Sequence, residues 1–287
     1  MLQSWGGIIG MDRLLLAKVH KVQLEIANEV KRICDKYHIT YFLIAGTLLG
    51  AVRHKGFIPW DDDLDIGMLR KDYIRFLKIA RKELKDYYFL ETWKVSPGYG
   101  MPFAKIRKNG TKYIERNSKN VNCHPGIYID IFPFDHVPNS KLLRLIHEYQ
   151  LKFYQYVILE LCNYKVSLNS KSIKGFIYNL LKQRVKGFHI KYLKKKYEMI
   201  SKKYNKKPTE FVLAVGGSYG YKKETIKFSW VSQTDELDFE GHSFKVPKGY
   251  KEYLACLYGD FMTPPPTNQR YNRHDIIEVN FFVNLSR

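Results

Sequence analysis

AGTLLGAVRHKGFIPWDDDLDIGM, residues 45–68, opens on a small-residue turn and closes on an acidic string that falls into strict alternation. Leu64, Ile66 and Met68 take turns with Asp63, Asp65 and Gly67, and a period of two is that of a β-strand. Asp63 and Asp65 then project from the same side. Two carboxylates so placed repel each other, and their company is favourable only with a cation between them. All-oxygen ligation, with no histidine or cysteine beside the pair, suits Mg²⁺ or Mn²⁺ better than zinc. The competing reading is an acidic turn on a solvated edge strand. Against it stands Gly46-Thr47, at an expected strand–helix junction, where unobstructed backbone N–H groups make a cradle for phosphate.

Outward from this stretch the two periodicities continue. Between Met11 and Tyr37, Val19, Val22, Ile26, Val30 and Ile33 recur at spacings of three and four, the mark of a long amphipathic helix. Ile39–Ile44 (ITYFLI) reads as a strand, and Lys71–Lys85 as a helix with Tyr73, Phe76, Leu77 and Ala80 on its apolar side. Tyr87–Thr92, Phe103–Arg107 and Gly126–Phe132 read as further strands, the last setting Asp130 between Ile129 and Ile131. Beyond Pro138 the texture turns helical, with helices expected over Lys141–Cys162, Lys174–Leu181 and His189–Tyr204. Short strand-like pieces follow at Phe228–Val231 and Phe239–Pro247, then a helix near residues 250–258 and a proline-rich tail. The expected organisation is an N-terminal extension (1–10), a catalytic core (11–138), a helical lysine-rich region (139–225) and a C-terminal segment (226–287) packed back on the core.

A glycine turn, an Asp-x-Asp pair and a later hydrophobic-flanked Asp, in that order, resemble the nucleotidyltransferase superfamily. Residues 45–68 in particular are similar to the signature of the LicD family, related to fukutin and fukutin-related protein. The likeness continues in looser form to about Pro133, through YIDIFPF, and resumes over FKVPKGYKEYLACLYGDFMTPPP (Phe244–Pro266). The helical middle matches nothing and is expected to hold acceptor specificity. The resemblance implies an α/β (α+β) fold with a nucleotidyltransferase-like mixed sheet. It also implies transfer of a phospho-substituent, such as phosphocholine or an alditol phosphate, from a CDP-activated donor to a sugar hydroxyl. The acceptor would be a teichoic acid, capsule or lipopolysaccharide precursor, free or lipid-linked.

On that reading Asp63 and Asp65 are metal ligands, and Asp130 is either the third ligand or the general base that takes the acceptor proton. Gly46 and Thr47 hold the donor's phosphates, and Arg53 pairs with phosphate. His54 either contacts substrate or supports its neighbours, and Trp60 either stacks on a base or buttresses the acidic turn. Lys105 and Arg107 alternate on a predicted strand and would neutralise charge on the transferred group, although they are only two of 48 basic residues. Arg270 is grouped with the C-terminal block as a donor contact, whereas Tyr258-Gly259-Asp260 there is read as architecture and His274 stays open.

A formal net charge of +20 points to anionic partners. Cys34, Cys123, Cys162 and Cys256 are far apart, with no CxxC spacing, and argue against a zinc site or a disulfide framework. No apolar run reaches the ~18–20 residues of a membrane span. The first ten residues lack the basic start of a signal peptide. The expected location is therefore the cytoplasm, with peripheral contact at the membrane's inner face as a second expectation. The lysines of His189–Lys207 surround their helix rather than track one face, which weighs against nucleic acid. Its Ile190, Leu193, Tyr197 and Ile200 stripe faces either the core or an anionic bilayer. Two rival functions remain at this level: a true nucleotidyltransferase that uses an NTP and releases pyrophosphate, and an RNA-binding module with a vestigial site.

Overall fold

A computed structural model of the protein describes residues 12–165, 189–272 and 274–282. The expected helix Lys174–Leu181 and the extension 1–10 lie outside the described residues. Asp12 caps α1 (Arg13–Lys36) by accepting from the Leu14 N–H. The helix buries Leu16, Val19, Ile26, Val30 and Ile33, so its apolar face is the one the spacing marks. Residues Ile39 and Tyr41–Ile44 are all buried, but only β1 (Phe42–Leu43) pairs as a strand. The expected strand Ile39–Ile44 is therefore shorter, because the chain turns at once into α2 (Ala45–His54). Gly46-Thr47 lies within the first turn of α2 rather than in a turn before it. Gly50 is required by a close approach: a Cβ there would collide with the Gly56 carbonyl.

The acidic string leads into β2 (Asp65–Leu69), with Asp63 just ahead of the strand, and α3 (Arg70–Glu83) follows without a break. Next come β3 (Tyr88–Glu91), β4 (Ala104–Lys108), β5 (Lys112–Glu115) and the ten-residue β6 (Tyr128–Val137). The main sheet has the order β1-β2-β6-β4-β3. β2 and β6 run parallel, and the other pairings are antiparallel. One edge of β6 is shared: Tyr128–Ile131 pair with β4, and Phe134–Val137 pair with β7 (Phe211–Ala214). The fold is α+β with a mixed sheet, as the alternation of patterns predicts.

α4 (Lys141–Leu161) and α5 (Ile190–Ser201) carry the helical texture read after Pro138, but β7 from that interval joins the core sheet and β8 (Thr225–Lys227) pairs with it. α6 (Tyr221–Glu224) links those strands. Phe228–Val231, expected as a strand, is instead the single-turn helix α7. Its Phe228 N–H is bonded to the Glu210 carbonyl and its Trp230 carbonyl to the Gly249 N–H, so tertiary partners override β-propensity there. β9 (Thr234–Phe239) and β10 (His242–Pro247) form a hairpin, and α8 (Tyr250–Tyr258) follows. Phe239, Phe244, Val246, Tyr253 and Leu254 share one core with Ile26, Phe42, Ile66, Phe76 and Phe134. The tail returns as β11 (Ile276–Asn280), paired with β5, a contact with no sequence signature.

Candidate active site

Parallel pairing of β2 and β6 sets Asp65 opposite Asp130, and the Asp130 N–H donates to the Leu64 carbonyl at 2.9 Å. Asp63 precedes Asp65 by two residues, so three acidic side chains gather where both strands begin. The site is tied to α2 by Thr47, whose buried hydroxyl accepts the Asp65 N–H at 2.8 Å. Thr47 thus braces the acidic strand through its side chain while its backbone stands at the helix start. The first helical hydrogen bond is Leu48 N–H to Ile44 carbonyl, which leaves the preceding N–H groups of α2 turned out of the helix ladder. Ala45 begins that turn at φ 47°, a left-handed conformation that costs an alanine about 1 kcal/mol. At Gly46 a Cβ would collide with the Asp61 carboxylate, so glycine lets the acidic loop lie against the helix start.

Burial dominates the electrostatics of this cluster, and the carboxyls reinforce it. Asp65 is pushed well above the ordinary carboxylate range by burial and then by the charges of Asp63 and Asp130. Asp63 is pushed up to about 6 by burial, with His274 opposing the shift. Asp130 is raised by burial against the pull of Lys105, whose Nζ donates to Asp130 Oδ1 at 2.6 Å. That ammonium also sits 3.3 Å from the centre of the Tyr128 ring. Among the described residues no three acidic, histidine or cysteine side chains form a ready-made ion cage. The donor set is nonetheless all oxygen, and its excess negative charge is offset only in part by Lys105 and His274.

Asp62, beside the pair, is 1% exposed. Its carboxylate accepts from the Tyr113 hydroxyl and from His274 Nδ1 at 2.8 Å, and its carbonyl accepts from Gln23 Nε2 at 2.7 Å. The histidine is pushed up to about 11 by its hydrogen bond to Asp62 and the charges of Asp62 and Asp63, which outweigh its burial. His274, left open by the sequence, is therefore a cation of the site. Nothing in the flanking residues reveals which acid it would meet, because the partner lies 212 residues away.

A basic wall stands near the acids. Arg53, at the end of α2, donates to the Phe261 carbonyl at 2.8 Å and to His54 Nε2 at 3.0 Å. Its guanidinium is held below its ordinary range by burial and then by Arg270. His54 is lowered by burial and by Arg53, so it is a neutral acceptor that orients the arginine. Arg270 lies 5.4 Å from the Trp60 ring centre and donates to the Pro265 carbonyl at 2.8 Å. Neither guanidinium has a carboxylate ion pair among the described residues, and two neighbouring like charges without a counter-ion make a receptor for an anion. Tyr258 and Tyr219 join their hydroxyls at 2.7 Å, and the Tyr219 hydroxyl, raised by burial, also lies in the field of Asp61, Asp63 and Asp65.

The structure separates the remaining basic candidates. Lys105 faces the acids through Asp130, but Arg107 is buried in an ion pair with Glu91 and a 3.0 Å bond to the Gly126 carbonyl. Expected as a phosphate contact, Arg107 instead neutralises a carboxylate that is 0% exposed. The lysine-rich helix turns Leu193 and Tyr197 into a core with Leu151, Ile158 and Leu213, so its apolar stripe faces inward. Its Lys194 is also buried, donating to the Pro97 and Tyr99 carbonyls at 2.7 Å each.

Comparison with known proteins bears on this geometry. A family model described as the LicD/FKTN/FKRP nucleotidyltransferase domain matches residues 38–170, which include all three acidic positions. The lipopolysaccharide cholinephosphotransferase LicD of Haemophilus influenzae is 30% identical over 269 residues, covering 92% of this chain and 97% of that protein. The human ribitol 5-phosphate transferase FKRP is 42% identical over 48 residues, 17% of this chain and 10% of that one. An uncharacterized protein of Rickettsia typhi is 47% identical over 55 residues, 19% of this chain.

Proposed function

The chain belongs to the LicD family and is a phosphotransferase, and we propose that it moves a substituted phosphate, phosphocholine first among the candidates, from a CDP-activated donor to a sugar hydroxyl of a glycan precursor. The observation that carries this reading is the apposition of a three-carboxylate cluster with an unpaired Arg53–Arg270 wall, in a chain similar along nearly its whole length to a cholinephosphotransferase. Alditol phosphate is the second candidate, because the human relative is a ribitol 5-phosphate transferase.

On this reading the start of α2 and the two arginines hold the donor's diphosphate, and Trp60 backs Arg270. The acceptor oxygen bonds to the phosphorus distal to the nucleoside as the bond from that phosphorus to the bridging oxygen breaks. CMP departs with the bonding pair. Asp130 takes the acceptor's proton, and Lys105 holds its carboxylate in place. Asp63 and Asp65 are the ligands for Mg²⁺ or Mn²⁺, whose fit rests on the all-oxygen donor set and on acids that raise one another's titration. When bound, such an ion supplies charge neutralisation for the oxygens of the group in transfer.

The test is a donor screen with purified protein, Mg²⁺, a panel of CDP-alcohols and NTPs, and a membrane-glycan extract as acceptor. CMP release from one CDP-alcohol, dependent on metal and acceptor, is the expected result. Asp63→Ala and Asp65→Ala should each lower kcat on the order of a thousandfold, several kcal/mol of transition-state stabilisation, with the fold retained. Pyrophosphate release from an NTP would replace this reading with nucleotidyl transfer. Metal-independent, salt-sensitive RNA binding without turnover would replace it with a binding module.

A further inference from the structure

After β7 the chain runs through Val215-Gly-Gly-Ser-Tyr-Gly220 into α6, and this glycine-rich loop walls a cleft of about 360 Å³. Glu148, Lys152, Gln155 and Tyr156 of α4 also line it, together with Met101. Two acceptor groups in the wall are left wanting. Gln155 Oε1 is buried with no hydrogen-bond partner, although its Nε2 reaches the Gly100 carbonyl at 3.5 Å. Glu224 is 4% exposed and takes one hydrogen bond, from the Tyr219 N–H at 3.1 Å, and pairs with no basic side chain among the described residues. The loop is shaped around this carboxyl, since a Cβ on Gly217 would collide with it. Burial pushes Glu224 up to about 7. Buried oxygens without donors carry an unmet cost that a ligand bringing O–H groups would relieve.

Two residues, Tyr219 and Phe103, link the wall of the cleft to the reacting centre. Tyr219, whose backbone serves Glu224, turns its hydroxyl into the field of Asp61, Asp63 and Asp65. Gly216, at φ 92°, packs against Pro102 and Phe103. The Phe103 ring lies 5.4 Å from the Lys105 ammonium that holds Asp130.

We propose that this cleft binds the neutral sugar unit of the acceptor, with Gln155 Oε1 and the Glu224 carboxyl accepting its hydroxyls and Tyr219 marking the passage to the aspartates. Glu148 is neutralised by Lys152, but the buried Glu224 carboxyl, with no basic partner among the described residues, disfavours a phosphate or a nucleotide, which separates the cleft from the Arg53–Arg270 wall. Tyr156 and Tyr221 add aromatic surface to the lining, which suits the C–H face of a pyranose. The inference deepens the glycan-transfer reading and rests on it for the identity of the ligand.

Saturation-transfer NMR on the full chain, with methyl glycosides of hexoses and N-acetylhexosamines and no donor present, tests the cleft directly. Gln155→Ala and the near-isosteric Glu224→Gln should each weaken sugar binding at least fivefold, with unchanged melting temperatures. In turnover assays both should raise the acceptor KM and leave the donor KM in place. Sugar affinity unchanged in both variants, or a donor KM that rises with the acceptor KM, overturns the assignment. The two readings fail separately. Sugar binding lost in the variants while no CDP-alcohol is turned over upholds the cleft and removes the donor assignment. Turnover whose acceptor KM ignores both variants upholds transfer and removes the cleft.

Discussion

Asp63 shows how a single side chain reports on its site. Its carboxyl titrates near 6 in the folded protein against an ordinary value of 3.8, so folding favours the protonated form. The stability this gives is complete below about pH 4 and is lost as pH rises through about 6. In EDTA, wild-type protein should therefore lose melting temperature relative to Asp63→Asn across that window. Adding Mg²⁺ above pH 7 should raise the wild-type melting temperature and leave the variant unmoved. Parallel pH curves for the two proteins would show that Asp63 does not bear the buried charge. His274 makes a second case. Its raised titration, up to about 11, means that its charge contributes in full below about pH 6.5 and that the contribution is lost as pH rises through about 11. His274→Ala leaves Asp62 with the Tyr113 hydroxyl but no cation, and removes the charge that opposes Asp63's upward shift. Activity should fall at least tenfold and its acid limb should move to higher pH. A variant that keeps the wild-type pH–rate profile would make His274 a surface residue of no consequence to the site.

At the scale of elements, β6 decides the layout because it is the strand on which the others converge. Its first half carries Asp130 to the site and its second half carries Asp135 into the protein's interior. Asp135 is 0% exposed, accepts from Arg70 Nε at 2.8 Å and from Asn205 Nδ2 at 2.6 Å, and so pins the first residue of α3 to the sheet. Removing one partner of a buried pair strands the other's charge. Arg70→Ala should cost about 3–5 kcal/mol in chemical denaturation, far more than truncation of an exposed arginine. A loss below 1 kcal/mol would mean that Asn205 alone satisfies the carboxylate. The Glu91–Arg107 pair obeys the same logic, which is why Arg107 is spent on structure.

Over the whole molecule, the formal net charge is +20. Lys191 and Lys195 of α5 are exposed while its apolar stripe is buried. On α4, Leu142, Leu145, Ile146 and Tyr149 recur at helical spacing and are each at least 47% exposed. No helix of the described residues is long and apolar enough to cross a membrane. The exposed lysines of α5 and the exposed apolar stripe of α4 are each chemistry that an anionic bilayer would attract, at about 1 kcal/mol per basic residue near it. The protein should sediment with vesicles containing phosphatidylglycerol at low salt, and binding should weaken steeply above 0.3 M NaCl on the order expected from charge screening. Lys191→Glu with Lys195→Glu should weaken it further. Equal sedimentation with neutral vesicles would refute an electrostatic contact.

What the chain determines by itself is whatever depends on local period and local chemistry. Alternation over Asp63–Met68 marks the acidic entry to β2, with Asp65 on the strand and Asp63 just ahead of it, and the three-and-four spacing of Val19–Ile33 sets the buried face of α1. The Gly-Thr pair at a helix start is legible for the same reason, since each feature involves residues a turn or less apart. Tertiary structure alone decides which strand lies beside which, and so that Asp65 faces Asp130 and that Lys105 meets Asp130 while Arg107 meets Glu91. Lys105 and Arg107 have the same pattern in sequence, and only burial beside a particular acid gives them different work. Asp62 with His274, and Glu224 with the Gly216–Gly220 loop, are invisible in one dimension because desolvation and charge pairing depend on distance through space rather than along the chain.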